Sequence, residues 1–118
     1  MYHIDLLQRK LDQLIKESNN PVLYNEIGVL LYQLNDWNNA EMYLQKACQL
    51  DSSDEDVLYN YAEILYKQSQ WEKSISMYNA YLEIQPHDIE VMQKAGNSYY
   101  LIGDYEKAQK MYEPLKRD

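Results

Sequence analysis

The sequence predicts an all-α fold, on three observations. Apolar residues recur at helical spacing along the whole 118-residue chain, and only three glycines and three prolines interrupt it, too few for a turn-rich sandwich or barrel. Bulky and small side chains also return at a fixed interval of 34 positions. Trp37, Trp71 and Tyr105 keep that interval, as do Tyr32, Tyr66 and Tyr100, and the small residues Gly28, Ala62 and Gly96. Two further sets follow it: Ala40, Ser74 and Ala108, then Leu44, Tyr78 and Tyr112. A period of this length marks stacked supersecondary units, none of which buries its apolar faces alone.

Residues 1–20 form one amphipathic helix, with Ile4, Leu7, Leu11, Leu14 and Ile15 on one side, expected to cap the first unit. The units are 21–54, 55–88 and 89–118, each with two helices. The first opens at Asn20-Pro21, a capping residue before a proline at the first helical position. Before the second lie Ser52-Ser53-Asp54-Glu55-Asp56, two overlapping Ser-x-x-acid boxes expected to cap its first helix. There Leu58, Tyr61, Ala62 and Leu65 make one helical stripe, and Ile75, Tyr78, Leu82 and Ile84 make another in 71–84. Asp88 and Asp104 cap the helices that follow them; Pro86 and Gly103 end those before. Connections of two to four residues make each pair an antiparallel hairpin.

Gly28 opposite Ala40, Ala62 opposite Ser74 and Gly96 opposite Ala108 are expected to set the closest approach within each pair. Tyr81 and Leu115 stand where the first unit has Ala47. Tyr81 is expected to fill the room left by Ala95 on the next unit. Pro114 removes a backbone donor deep in the final helix, which should end or kink near Glu113. No polar capping helix follows it.

These residues resemble the tetratricopeptide repeat, whose pattern runs Trp-x₂-Leu-Gly-x₂-Tyr, Ala-x₃-Phe, Pro. The copies here are Tyr24-x₂-Ile27-Gly28-x₂-Leu31 with Ala40-x₃-Leu44, then Leu58-x₂-Tyr61-Ala62-x₂-Leu65 with Ser74-x₃-Tyr78 and Pro86. The third is Met92-x₂-Ala95-Gly96-x₂-Tyr99 with Ala108-x₃-Tyr112. The resemblance covers residues 21–118. It implies a right-handed α-solenoid of antiparallel helix pairs whose first helices line a concave groove holding a peptide or a partner's helix. Carried over position by position, the groove residues are Asn25, Val29 and Tyr32, then Tyr59, Asn60, Glu63, Tyr66 and Lys67, then Gln93, Lys94, Asn97 and Tyr100. Some relatives clamp acidic chaperone tails with two lysines, two asparagines and an arginine. Here Val29 and Glu90 stand in that set, so such a tail is not the expected ligand.

The net charge is −8, and it sits mid-chain. Residues 21–54 hold five acids against one base and 55–88 six against two, whereas the ends are balanced. Such a surface repels phosphate backbones and anionic lipid, so nucleic acid and membrane are not expected partners, and a neutral or basic peptide suits the groove better than an acidic one. No run approaches the ~18 apolar residues of a membrane span. The lone Cys48 builds no disulfide framework, and a cytoplasmic setting is expected. Catalytic and cofactor signatures are missing from the sequence: it has no glycine-rich phosphate loop, no His-x₃-His pair, and its acid-rich segment 51–56 lacks a calcium loop's glycine. No enzyme activity and no cofactor are expected of the chain by itself. The reading is an interaction scaffold. Two alternatives stay open from the uncapped end: the N-terminal domain of a larger enzyme, such as a glycosyltransferase recruiting its polypeptide substrate, or a module that self-associates through that face.

Overall fold

The computed structural model describes residues 2–116. Among them lie seven α-helices and no strand. They are α1 (Tyr2–Lys16), α2 (Pro21–Gln33), α3 (Trp37–Leu50), α4 (Glu55–Lys67), α5 (Trp71–Ile84), α6 (Ile89–Leu101) and α7 (Tyr105–Tyr112), followed by a 3₁₀ turn, Glu113–Lys116. Helices α2/α3, α4/α5 and α6/α7 are hairpins, and α3 meets α4 as α5 meets α6. Stacking in chain order draws the molecule out to 48 × 25 × 25 Å. Its radius of gyration, 15.5 Å, exceeds the ~13 Å of a compact domain near this size. The fold is a helical repeat solenoid.

Local chemistry explains where α2, α4, α6 and α7 begin. The Asn20 side chain accepts from the Val22 amide with Pro21 at the first helical position, and Asp88 and Asp104 accept from Val91 and Lys107. At α4 the cap is Asp54, which accepts from the Asp56 and Val57 amides. Neither expected serine box forms: the Ser53 amide and hydroxyl both donate to Asp51. Those bonds hold the Ser53 hydroxyl against Asp51 in a local turn, and Asp54, the residue directly before the helix, accepts from the amides.

Helix ends inside each hairpin share one device. Asn35, Ser69 and Gly103, again 34 apart, take φ of 64°, 60° and 87°. The following amides, those of Asp36, Gln70 and Asp104, return to the carbonyls of Leu31, Leu65 and Tyr99 at 2.9 Å. That is a Schellman closure, in which the left-handed residue turns the chain back on the last helical turn. Gly103 is at home there. Asn35 tolerates the conformation, and Ser69 adopts it at some cost.

Packing inside the first and third hairpins differs from expectation in its contact partner. The small residues do mark the close approach, but what covers them is the large residue four positions beyond Ala40 or Ala108. A methyl group added to Gly28 would lie 2.6 Å from Leu44 Cγ and 3.3 Å from the Ala40 carbonyl oxygen; one on Gly96 would lie 2.5 Å from Tyr112 Cε1. A helical side chain leans toward the N-terminus over the preceding turn, so the residue one turn later reaches the glycine.

The core runs along the stack in two clusters. Ile27, Leu31, Leu44, Tyr61 and Leu65 anchor the first, with Leu7, Leu11 and Leu14 of α1 laid against it. Ile15 and Ile4 do not join them and are 82% and 49% exposed. At 100° per residue both project to the same edge of the Leu7–Leu11–Leu14 stripe, outside its centre. Ala62, Tyr78, Val91 and Ala95 form the second cluster, and Tyr81 packs against it. The Tyr81 hydroxyl donates to Asp88 at 2.9 Å. Cys48 is half-buried at the edge of the first cluster, and burial pushes its thiol pKa up, with help from Asp51. Helix α7 stops at Tyr112 and Pro114 lies in the 3₁₀ turn, a tighter winding that does not need the proline's missing amide. No helix of the described residues is long and apolar enough to cross a membrane.

Candidate functional site

One face of the solenoid is built by α2, α4 and α6, the first helices of the three hairpins, tied to one another by side-chain hydrogen bonds. Asn60 on α4 donates its amide to Asn25 Oδ1 on α2 at 3.1 Å. Lys94 on α6 donates to both Glu63 oxygens on α4, at 2.9 and 2.7 Å, and lies 3.4 Å from Glu90 on its own helix. Tyr59 donates to Glu90 at 3.2 Å, and Asn97 donates to the Tyr66 hydroxyl at 3.2 Å. Each link spans 31 or 35 residues, close to one repeat, so neighbouring repeats place these side chains within reach.

The twelve positions expected to line a groove are used in different ways. Seven of them, Asn25, Tyr59, Asn60, Glu63, Tyr66, Lys94 and Asn97, make this ladder. Val29 and Tyr32 line a cavity described below. Tyr66 also stacks edge-on with Trp71 and Tyr78, at ring separations of 5.4 and 6.1 Å, which makes it a packing residue. Lys67 lies 5.2 Å above the Trp37 ring, drawn back toward the first hairpin's turn. Gln93 is exposed, and Tyr100, 57% exposed, has its ring 5.1 Å from Tyr105.

Electrostatically the face centres on Glu63. Its carboxylate accepts from the buried Tyr78 hydroxyl at 2.5 Å as well as from Lys94. Burial, and next the Glu63 hydrogen bond, push the Tyr78 phenol pKa far above its ordinary value. Burial works against the Lys94 ammonium, but hydrogen bonding and charge from Glu63 outweigh it and the lysine pKa stands raised. Both partners are about a quarter exposed, so the pair is shielded only in part.

Between α2 and α4 this face opens into a cavity of about 220 Å³. Val29, Leu44 and Ile64 give it apolar walls; Tyr32, Asn60 and Glu63 give it polar ones. Leu44 and Ile64 were not among the groove positions taken from the sequence. A signal for Leu44 existed in the 34-step register. Where Leu44 stands, the later repeats have Tyr78 and Tyr112, and where Val29 stands they have Glu63 and Asn97.

A profile of the tetratricopeptide repeat matches residues 53–113, just over half of the chain, and a second profile of that repeat matches residues 22–54. The chain belongs to the tetratricopeptide repeat family. Solved structures of similar fold include a crystal structure of MamA, 20% identical with a TM-score of 0.85 over 94% of this chain and 61% of that one. MamA 41-end from Desulfovibrio magneticus RS-1 is likewise 20% identical, with a TM-score of 0.87 over 94% and 63% of the two chains. YrrB, titled a TPR protein with an unusual peptide-binding site, is 26% identical with a TM-score of 0.72 over 80% and 48%. The tetratricopeptide chain therefore spans about three-fifths of MamA and just under half of YrrB. No curated protein sequence matches it. Proteins of this repeat family are typically non-catalytic interaction modules, and a protein-interaction scaffold is the class of function that the fold supports.

Proposed function

We propose that the chain holds an extended peptide or a partner's helix against the α2–α4–α6 face, and that this face, rather than the α3–α5–α7 side, is the binding surface. The observation that carries this is the Asn60–Asn25 pair beside the cavity. With one amide hydrogen of Asn60 given to Asn25, the Asn25 amide nitrogen and the Asn60 carbonyl oxygen remain to donate to and accept from a peptide main chain. Apolar walls a few ångströms away offer burial for a side chain from that same peptide. The description of YrrB as a peptide binder supports the reading.

The expected partner is neutral or basic. Asp56 and Glu90 are exposed on the first turns of α4 and α6, and only Glu90 has a lysine beside it. An acidic peptide meets like charge there.

Peptides selected by display against the whole chain test the reading. Bound peptide should shift backbone amide signals on α2, α4 and α6. Replacing both asparagines (Asn25→Ala with Asn60→Ala) should weaken binding about tenfold, the loss of two hydrogen bonds each worth about 0.5–1 kcal/mol net, while helix content stays constant. Shifts confined to α3, α5 and α7 would refute the assignment.

A further inference from the structure

At one pair of equivalent positions the first repeat departs from the other two in chemistry, and the cavity lies there. In the second repeat the Tyr78 hydroxyl donates to Glu63; in the third the Tyr112 hydroxyl donates to Asn97 Oδ1, each at 2.5 Å. The first repeat has Leu44 and Val29 at those places, and both line the cavity. Across the junction, Asn60 stands where the next junction has Lys94, the residue that reaches back to Glu63. The first junction therefore lacks both the phenol ring and the lysine stem that occupy the corresponding space one repeat later.

We propose that the α2–α4 cavity is a subsite for a tyrosine side chain flanked by basic residues in the bound peptide; this rests on the groove reading above. Size supports a ring, since an apolar cavity of roughly 150 Å³ already binds benzene and this one is about 220 Å³. Backbone room is the same as where a ring already sits: Gly28 lies beneath Leu44 as Gly96 lies beneath Tyr112. Polarity supports a phenol. A carboxylate offers about four acceptor positions; Tyr78 and Lys94 engage Glu63 three times, leaving one for a ligand hydroxyl. A leucine side chain would fill the apolar walls but leave Asn60 and Glu63 facing carbon. Charge supports the flanks, because residues 21–88 carry eleven acids and three bases.

The test titrates the full chain, with labelled methyl groups, against N-acetyl-tyrosinamide and N-acetyl-leucinamide. The tyrosine probe should shift the methyl signals of Val29, Leu44 and Ile64 at about tenfold lower concentration than the leucine probe. Val29→Glu with Leu44→Tyr copies the second repeat's own pair into the first, fills the cavity from inside and should abolish the shift at Ile64, the reporter methyl that this variant keeps. Asn60→Lys, which copies Lys94 over the mouth, serves as a second closure should the double variant fold poorly. No shifts, equal response to both probes, or shifts that survive both closures would each overturn the proposal. The groove is read separately with a display-selected peptide that carries tyrosine between lysines. Binding undiminished by closure removes the subsite and leaves the groove standing, whereas a wild-type chain that binds no peptide on this face removes both.

Discussion

The Tyr78 hydroxyl meets the Glu63 carboxylate at 2.5 Å, and the same carboxylate holds Lys94 of the following hairpin at 2.7 Å. One acid thus joins the two helices of its own repeat and the first helix of the next. Tyr78 is fully buried and sits in the second core cluster, so this polar link and the apolar core share a side chain.

Removing the hydroxyl isolates its share. Tyr78→Phe keeps the ring in place and leaves Glu63 with Lys94 alone, so urea unfolding should show a loss of about 2 kcal/mol, the range for a hydrogen bond to a charged group. Lys94→Met should cost less, on the order of 1 kcal/mol, because both members of that pair are partly open to water. A Lys94 variant more costly than the Tyr78 variant would reverse this ranking.

The glycines should separate two causes of strain. Gly28→Ala gains up to ~1 kcal/mol of helix propensity but places a methyl 2.6 Å from Leu44 Cγ, so Leu44 must shift toward the cavity it lines; the net should be a loss of about 1 kcal/mol. Gly103→Ala meets no atom within 4 Å, yet its φ of 87° disfavours any side chain, so it should also lose about 1 kcal/mol. Relieving Leu44 tells them apart: Leu44→Ala should cancel the extra cost of Gly28→Ala and leave that of Gly103→Ala unchanged, as a double-mutant cycle would record.

Alkali should unfold the chain. Burial raises the phenol pKa of Tyr78, of Tyr59, Tyr61 and Tyr112, and of Tyr81, where burial and the Asp88 hydrogen bond carry it to about 12. In the unfolded chain a tyrosine ionises near pH 10, so above that pH the unfolded state has released protons the native state retains, and stability falls as pH rises. Each such tyrosine contributes a slope of up to ~1.4 kcal/mol per pH unit. The raised Lys94 adds to the fall above its own unfolded pKa. With helix content and tyrosinate absorbance followed together from neutral pH to about 12, the loss of helix should coincide with the part of the absorbance change that belongs to these five of the thirteen tyrosines. Tyrosines that ionise fully while the helices persist would contradict this.

The helices, their pairing and the repeat family were legible in the chain because each rests on short-range chemistry. A proline after asparagine, an aspartate before an amphipathic run, and a glycine or alanine returning every 34 positions act within a turn or two of where they stand. Less was legible at helix ends where several residues compete for one amide. Asp54 displaced the serine boxes, and Asn35 and Ser69 took the left-handed role that only Gly103 announced.

What the tertiary structure alone decided is how the groove residues divide their work. Tyr66 is spent on Trp71 and Tyr78, Lys67 lies over Trp37, and Glu63 gathers a tyrosine and a lysine, while Val29 and Leu44 line the α2–α4 cavity. Periodicity places such side chains on a face, but it does not say which will touch. Contact depends on the reach of two side chains from different helices, and swapping Leu44 for the tyrosine of the later repeats changes that reach without disturbing the period.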